Sequence, residues 1–433
     1  MRKFYSFVLL MLLSMTLCGI MAVAQTVTVD NIVYELQYDG TAKLKNGKLA
    51  TGNVVIPVEV EYEGKKYPVV AIGYEAFMKN TAITSVNIPT SVIKISDSAF
   101  YGCINLVSIT GGAETMDNIE TNAFGDTPWC KNFPEEDGLK YWKGWIIGIN
   151  LPDGFDELHI KEGTVGKVRY LGKLQGKTLY LPKSFGYFYP DDIRVEKFVV
   201  DEENPTFFSD DFGAVYKKNG NSFFYLYAEN KWISVIGQML YKAPNKSTAE
   251  TFVVAEGTVC IDQNAFYEGR FERIIVPEGC ECVLHHNFTR LSGCKYIELP
   301  STLKYLIVYV PQGDSQMEIV LKAKEVPETD IDNAFYQCEH ITLYVPKESL
   351  EKYLADSRYK GKFKEIKAIP DSPSLKGDVN GDGKVNAADV TTVYNYIANP
   401  EATGLTLDKV DINGDGNVNA TDITDLYNII QME

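Results

Sequence analysis

A chain of 433 residues is long enough for two or three domains, and 45% hydrophobic with 23% charged residues is a globular composition. A formal charge of −16 excludes nucleic acid as a partner, because such binding needs basic surface to replace phosphate counterions. Aromatic residues are somewhat rich, chiefly 27 Tyr and 21 Phe.

Residues 1–24 read as a signal peptide. Arg2 and Lys3 precede the apolar run "FVLLMLLSMTLCGIM", and Ala22 and Ala24 supply small residues before Gln25. The run is too short for a comfortable membrane span, so no transmembrane anchor is expected. Cys18 would be a lipidation site, but Leu17 stands where a small residue is wanted. The mature chain is then secreted or held at the cell surface, with a charge of about −18. Residues 25–70 follow as a β-rich N-terminal cap. "NIVYELQYDGTAKL" and "GNVVIPVEVEYEGKKYPVV" alternate apolar and polar residues, with turn chemistry at "YDG" and "YEGKK".

Residues 71–370 keep a period of about 23. "AF" recurs at Phe77, Phe100, Phe124, Phe266 and Phe335, and an aliphatic residue precedes Pro89, Pro182, Pro277, Pro300, Pro346 and Pro370. Both markers hold one phase, so they describe internal repeats. Within "ITSVNIPTSVIKISDSAFYGC", Ile83, Val86 and Ile88 suit a short strand that Pro89 ends. No unit of this length buries its apolar face alone. Stacked units do, which predicts a mostly β solenoid of leucine-rich repeats.

The stretches "AIGYEAFMKNTAITSVNIPTSVIKISDSAFYGCINLVSI", "IDQNAFYEGRFERIIVPEG" and "LYVPKESLEKYLADSRYKGKFKEIKAI" resemble the BspA-like leucine-rich repeat proteins of bacterial surfaces and secretions. "VDEENPTFFSDDFGAVYKKNG" resembles an irregular excursion between such repeats. From about Trp129 to Leu240 the AF marker is missing and the likeness is loosest. Outward strand positions, aligned on the Pro marker, are Ser85, Asn87, Tyr180, Arg273, Ile275, Tyr296, Glu298, Thr342 and Tyr344. Among them Tyr180, Arg273, Tyr296, Glu298 and Tyr344 are candidate contacts to a protein or glycan ligand. That the tyrosines only cover apolar neighbours stays an open alternative.

Seven cysteines remain after the leader: Cys103, Cys130, Cys260, Cys280, Cys282, Cys294 and Cys338. Their spacing fits no zinc pattern, and the odd count leaves a thiol over. Core thiols are expected rather than a disulfide framework. His285-His286 lacks zinc-site spacing, and no G-x-S-x-G or H-E-x-x-H occurs, so no active site is expected.

A polar linker, 371–375, leads to a duplicated acidic segment in 376–433. Asp378, Asn380, Asp382, Lys384 (through its carbonyl), Asn386 and Asp389 take positions 1, 3, 5, 7, 9 and 12 of a calcium loop. Asp411, Asn413, Asp415, Asn417, Asn419 and Asp422 repeat them 33 residues later, and 13 of 20 aligned positions are identical. Position 12 is Asp, not the Glu of an ordinary EF-hand. A helix-like run follows each loop, and no helix is expected before either. From Lys376 on, 10 acids meet 3 lysines, a charge that two Ca²⁺ ions would largely neutralise.

This pattern resembles a type I dockerin, a small all-α calcium-binding domain that docks into cohesin domains of scaffold proteins. The resemblance implies cohesin contacts at Ala387, Ala388, Tyr394 and Asn395, with Ala420, Thr421, Tyr427 and Asn428 as their duplicates. Three functions are expected in this order. The first is a non-catalytic binding protein docked through a cohesin. The second is an adhesin with a merely stabilising calcium module. The third is an accessory or enzyme component of a cellulosome-like, polysaccharide-degrading complex.

Overall fold

The computed structural model describes residues 25–151, 154–226, 230–245, 251–284, 287–288, 291, 293–307, 317–329, 335, 338–370, 377–380, 384–400 and 405–431. The leader, the linker, His285-His286, Ala334 and Asp382 lie outside these. The chain divides into two compact units after Ile366.

The first unit is a β-solenoid. Thr26–Val29, Ile32–Leu36 and Ala42–Asn46 form an antiparallel meander. Ala42–Asn46 then pairs in parallel with Lys65–Ile72, which starts the column of short rungs at Lys94–Ile95 and Asn118–Ile119. A second parallel sheet stacks Gly52–Val55, Ile83–Ile88 and Ser108–Gly111. In the C-terminal half the same arrangement returns over Thr251–Val253, Arg273–Ile275, Tyr296–Leu299, Met317–Leu321 and Ile341–Val345.

The AF marker is the turn between these sheets. Phe77, Phe100 and Phe124 are fully buried, and their rings stack in a column with centroids 5.2 and 5.9 Å apart. The Phe77 amide donates to Ala99 O, and that of Phe100 to Ala123 O, both at 2.8 Å. The markers at Phe77, Phe100, Phe124 and Phe266 lie between two left-handed residues: Glu75 and Lys79, Ser98 and Gly102, Asn122 and Asp126, Asn264 and Glu268. Of these only Gly102 takes that conformation without Cβ strain, so stacking must hold the others against a cost of about 1 kcal/mol each. Polar side chains follow the same period. The ion pairs Lys304–Glu281 (2.7 Å) and Lys322–Glu298 (2.6 Å) each join adjacent rungs.

The cysteine expectation needs one correction. Cys103, Cys130, Cys280, Cys294 and Cys338 are buried free thiols, but Cys260 and Cys282 form a disulfide. The cause is register. The two residues are 22 apart, one repeat, and face each other directly in parallel rungs with Cα atoms 4.8 Å apart.

Where the AF marker lapses, the core changes. Trp129 and Trp142 meet Phe124 edge-on at 4.9 and 5.5 Å and end its column. A separate cluster follows, built on Phe185, Phe188, Phe198 and Phe207. Val215–Leu226 and Lys231–Lys242 make a long antiparallel hairpin. Its inward Phe224 and Val235 pack with Cys260 and Cys282.

The second unit is small and helical. α1 (Ala387–Ala398) and α2 (Ala420–Ile430) pack on a core of Val379, Val385, Val393, Val410, Ile412 and Leu426. One difference from expectation lies before the second loop. Leu407–Val410 is a single helical turn, closed when the Asp411 amide donates to Leu407 O at 2.9 Å.

Candidate calcium loops, helix faces and solenoid surface

The two loops fold alike because their asparagines and position-12 aspartates cap the helices. Asn386 accepts from Ala388 N at 2.8 Å, and Asn419 from Thr421 N at 2.9 Å. Asp389 and Asp422 complete capping boxes at Asn386 N (2.9 Å) and Asn419 N (2.8 Å). Both carboxylates are fully buried and reach back across their loops. Asp389 accepts from Val379 N and Asn380 N, and Asp422 from Ile412 N and Asn413 N. This capping role was not assigned from the sequence.

In the second loop, Asp411 accepts from the amides of Gly414, Asp415 and Gly416, and Asp415 from that of Asn417. Among the described residues no group of three or more His, Cys, Asp or Glu is gathered closely enough to hold a metal. The donor chemistry nevertheless fits calcium. Asp411, Asn413, Asp415, Asn419 and Asp422 offer side-chain oxygens at loop positions 1, 3, 5, 9 and 12, and carboxylates keep lone pairs beyond those given to amides. The first loop presents Asp378, Asn380, Lys384, Asn386 and Asp389 in the same order.

The eight residues expected to face a cohesin are all exposed: Ala387, Ala388, Tyr394 and Asn395 on α1, and Ala420, Thr421, Tyr427 and Asn428 on α2. Tyr394 is 65% and Tyr427 51% exposed, high for tyrosines in so small a unit.

On the solenoid, the register aligns the outward positions in columns. Arg273, Tyr296, Glu318 and Thr342 form one column, and Ile275, Glu298, Val320 and Tyr344 the next. Arg273 lies 4.0 Å over the Tyr296 ring, and the Tyr296 hydroxyl donates to Glu298 at 2.7 Å. Burial and that bond push Tyr296 up to about 12. Burial works against ionisation of Glu298, but bonds from Lys322 and Tyr296 hold it below the usual carboxylate range. Four of the five candidates thus share one face, largely engaged with one another. Tyr180 lies in a different sheet, stacked on His159 at 3.9 Å.

Sequence reasoning missed a cavity of about 510 Å³ at the starts of strands Phe155–His159, Leu174–Leu181 and Ile193–Val200. The same part of the chain also holds buried charge. Lys167 and Asp192 are buried and paired at 2.8 Å. Lys242 is fully buried and donates to Tyr267 O at 3.0 Å. Burial lowers Lys242 to about 7, against a partial opposing pull from Glu268 and Asp191.

Comparison with known families assigns both units. Residues 376–431 match the dockerin type I domain, and 70–143 and 259–372 match six copies of the BspA type leucine rich repeat region. The chain carries BspA-type leucine-rich repeats and a type I dockerin domain. Both are non-catalytic domains, and type I dockerins bind calcium. The repeat matches leave out 144–258, the stretch where the AF marker lapses.

Over 145 residues the chain is 30% identical to the cellulose 1,4-beta-cellobiosidase CelS of Acetivibrio thermocellus, covering 33% of this chain and 17% of that enzyme. A leucine rich cell surface protein of Faecalibacterium prausnitzii is 17% identical, over 79% of this chain and 94% of its own, at a TM-score of 0.33. A leucine-rich repeat protein of Bacteroides capillosus is 27% identical over 33% of this chain and 86% of its own, at a TM-score of 0.23. No helix among the described residues is long and apolar enough to cross a membrane.

Proposed function

We propose that this is a secreted, non-catalytic binding protein whose dockerin docks, in calcium, to a cohesin on a scaffold protein, while the solenoid holds a protein or glycan. The observation that carries the reading is the duplicated loop–helix unit with two matching exposed faces, Tyr394–Asn395 and Tyr427–Asn428. The first loop's Asp378, Asn380, Asp382, Asn386 and Asp389 would hold one Ca²⁺, and the second loop's Asp411, Asn413, Asp415, Asn419 and Asp422 another; each ion would offset the negative charge of its loop. The chain's own residues do the rest. Asp389 and Asp422 fix each helix start, and the exposed tyrosines present flat contact surface.

Since the two faces are nearly identical, either can engage a cohesin, in two orientations. The test is capture by a cohesin-bearing scaffold in calcium and in chelator. Tyr394→Ala with Asn395→Ala, or Tyr427→Ala with Asn428→Ala, is expected to leave binding within about twofold. All four changes together are expected to abolish it. Loss from one pair alone refutes the two-orientation reading, and capture that ignores calcium refutes the docking reading.

A further inference from the structure

The far part of the long hairpin is covered on one face only. Phe224 and Val235 pack inward, while the alternate residues Asn221, Phe223, Trp232, Ser234 and Ile236 are exposed. Phe223, Trp232 and Ile236 are 58%, 70% and 68% exposed, and none of these five side chains is charged. The edges are open there as well. Among the described residues, Phe207–Ser209 pairs with the first strand only at Val215, Tyr216 and Lys217, and Cys260–Ile261 with the second only at Met239 and Leu240.

An open edge is a template for another strand, and proteins usually guard it with charge, proline or a bulge. Glu365–Ala368, the last strand of the solenoid, carries Glu365 and Lys367. Lys231–Gly237 carries one charge, at its first residue, and no proline. The hairpin register is unbroken from Gly220 opposite Gly237 to Leu226 opposite Lys231, so no bulge turns this edge aside.

The edge is complementary to itself. Antiparallel pairing of two copies about a two-fold axis at Ser234 sets Trp232 opposite Ile236, Ile233 opposite Val235, and Lys231 opposite Gly237. Outward residues then meet outward residues, and no like charges meet. Sliding by two residues sets Trp232 opposite Ser234 or Gln238 instead, and sliding by one turns outward residues against inward ones. The exposed parts of Phe223, Trp232 and Ile236 come to on the order of 400 Å², about half of what each partner buries in a standard interface. A strand ladder supplies the remainder. The rings do not form a flat platform for a sugar chain, since Tyr225 and Trp232 are inclined at 63°.

We propose that a second copy of this chain pairs here, Lys231–Gly237 against Lys231–Gly237, joining the two hairpins in one four-stranded sheet. The pairing goes beyond the docking reading and does not depend on it.

The experiment is sedimentation velocity of the full chain, in calcium, over a concentration series. A monomer–dimer equilibrium is expected. Added salt should tighten it, because each copy carries a formal charge of −16 and repels the other. Trp232→Lys with Ile236→Lys, both at exposed positions, is expected to weaken the dimer at least about tenfold, with cohesin capture unchanged. Ser234→Cys lies on the two-fold axis and is expected to give a covalent dimer on mild oxidation. Phe223→Cys, on the other strand, is expected to give none. Cys103, Cys130, Cys280, Cys294 and Cys338 are buried and should not compete. A chain that stays monomeric throughout, a double variant that dimerises like the parent, or equal cross-linking of the two cysteine variants overturns the proposal. Cohesin capture that persists in a chain that stays monomeric refutes this pairing and not the docking.

Discussion

Asp422→Asn changes one atom in the C-terminal unit and tests how that unit is held. The carboxylate is fully buried. Its Oδ1 accepts from Ile412 N at 2.9 Å and Asn413 N at 3.3 Å, and its Oδ2 from Asn419 N at 2.8 Å. An amide keeps one oxygen, so the first two bonds survive without charge, while its NH₂ confronts the Asn419 amide. Charge-assisted bonds contribute about 1.5–3 kcal/mol and neutral ones about 0.5–1.5. Losing one and weakening two costs about 3–5 kcal/mol. At about 0.05–0.15 kcal/mol per residue, a unit of this size has only about 3–10 kcal/mol in hand. The variant's far-ultraviolet helical signal should therefore melt early or be absent in chelator, while the solenoid's β signal persists. Calcium should restore only part of it. Asp389→Asn should behave alike. Identical helical melting of Asp422→Asn and the parent protein in chelator refutes the reasoning.

Lys242 predicts a pH dependence. Its folded pKa of about 7 lies below the ordinary 10.5, so between those values the unfolded chain binds the extra proton. Solenoid stability should rise with pH over that window by up to about 1.4 kcal/mol per unit. Lys242→Met should flatten the rise in urea midpoints, and an unchanged slope would count against it. Phe100→Ala removes the middle ring of the buried column and should cost about 3–5 kcal/mol in the denaturation midpoint, with no change in cohesin capture. Opening the Cys260–Cys282 disulfide with Ser at both positions releases a 22-residue loop and should cost about 3 kcal/mol. A cost near zero would mean the stacked rungs alone hold that register.

Much of this was legible because repetition makes each residue's environment recur. The AF marker located the turns, and the Pro marker placed Arg273, Tyr296, Glu298 and Tyr344 on one face. The duplicated acids identified the dockerin before any geometry. What was not legible depends on contacts between repeats. Cys260 and Cys282 differ by nearly one period, which was the available sign of their pairing, but pairing needs aligned rungs as well as spacing. Tyr180 was put with the other tyrosines, although its sheet ends at Ile193–Val200. The one-turn helix Leu407–Val410 is too short to leave a periodic pattern. The cavity joins Arg194 to Glu268, 74 residues apart, across the very stretch that lacks the markers.

The end of the phenylalanine column at Trp129 and Trp142 has a mechanical consequence. An uninterrupted stack passes load from rung to rung and melts as one. Here the column stops, a differently packed block follows, and a second aromatic set resumes at Phe252, Phe266 and Phe288. Heat or tension therefore meets three blocks in series, and the weakest sets the first yield point. A protein tethered at its C-terminal dockerin while gripping something along the solenoid would then extend in steps, holding on through the first one.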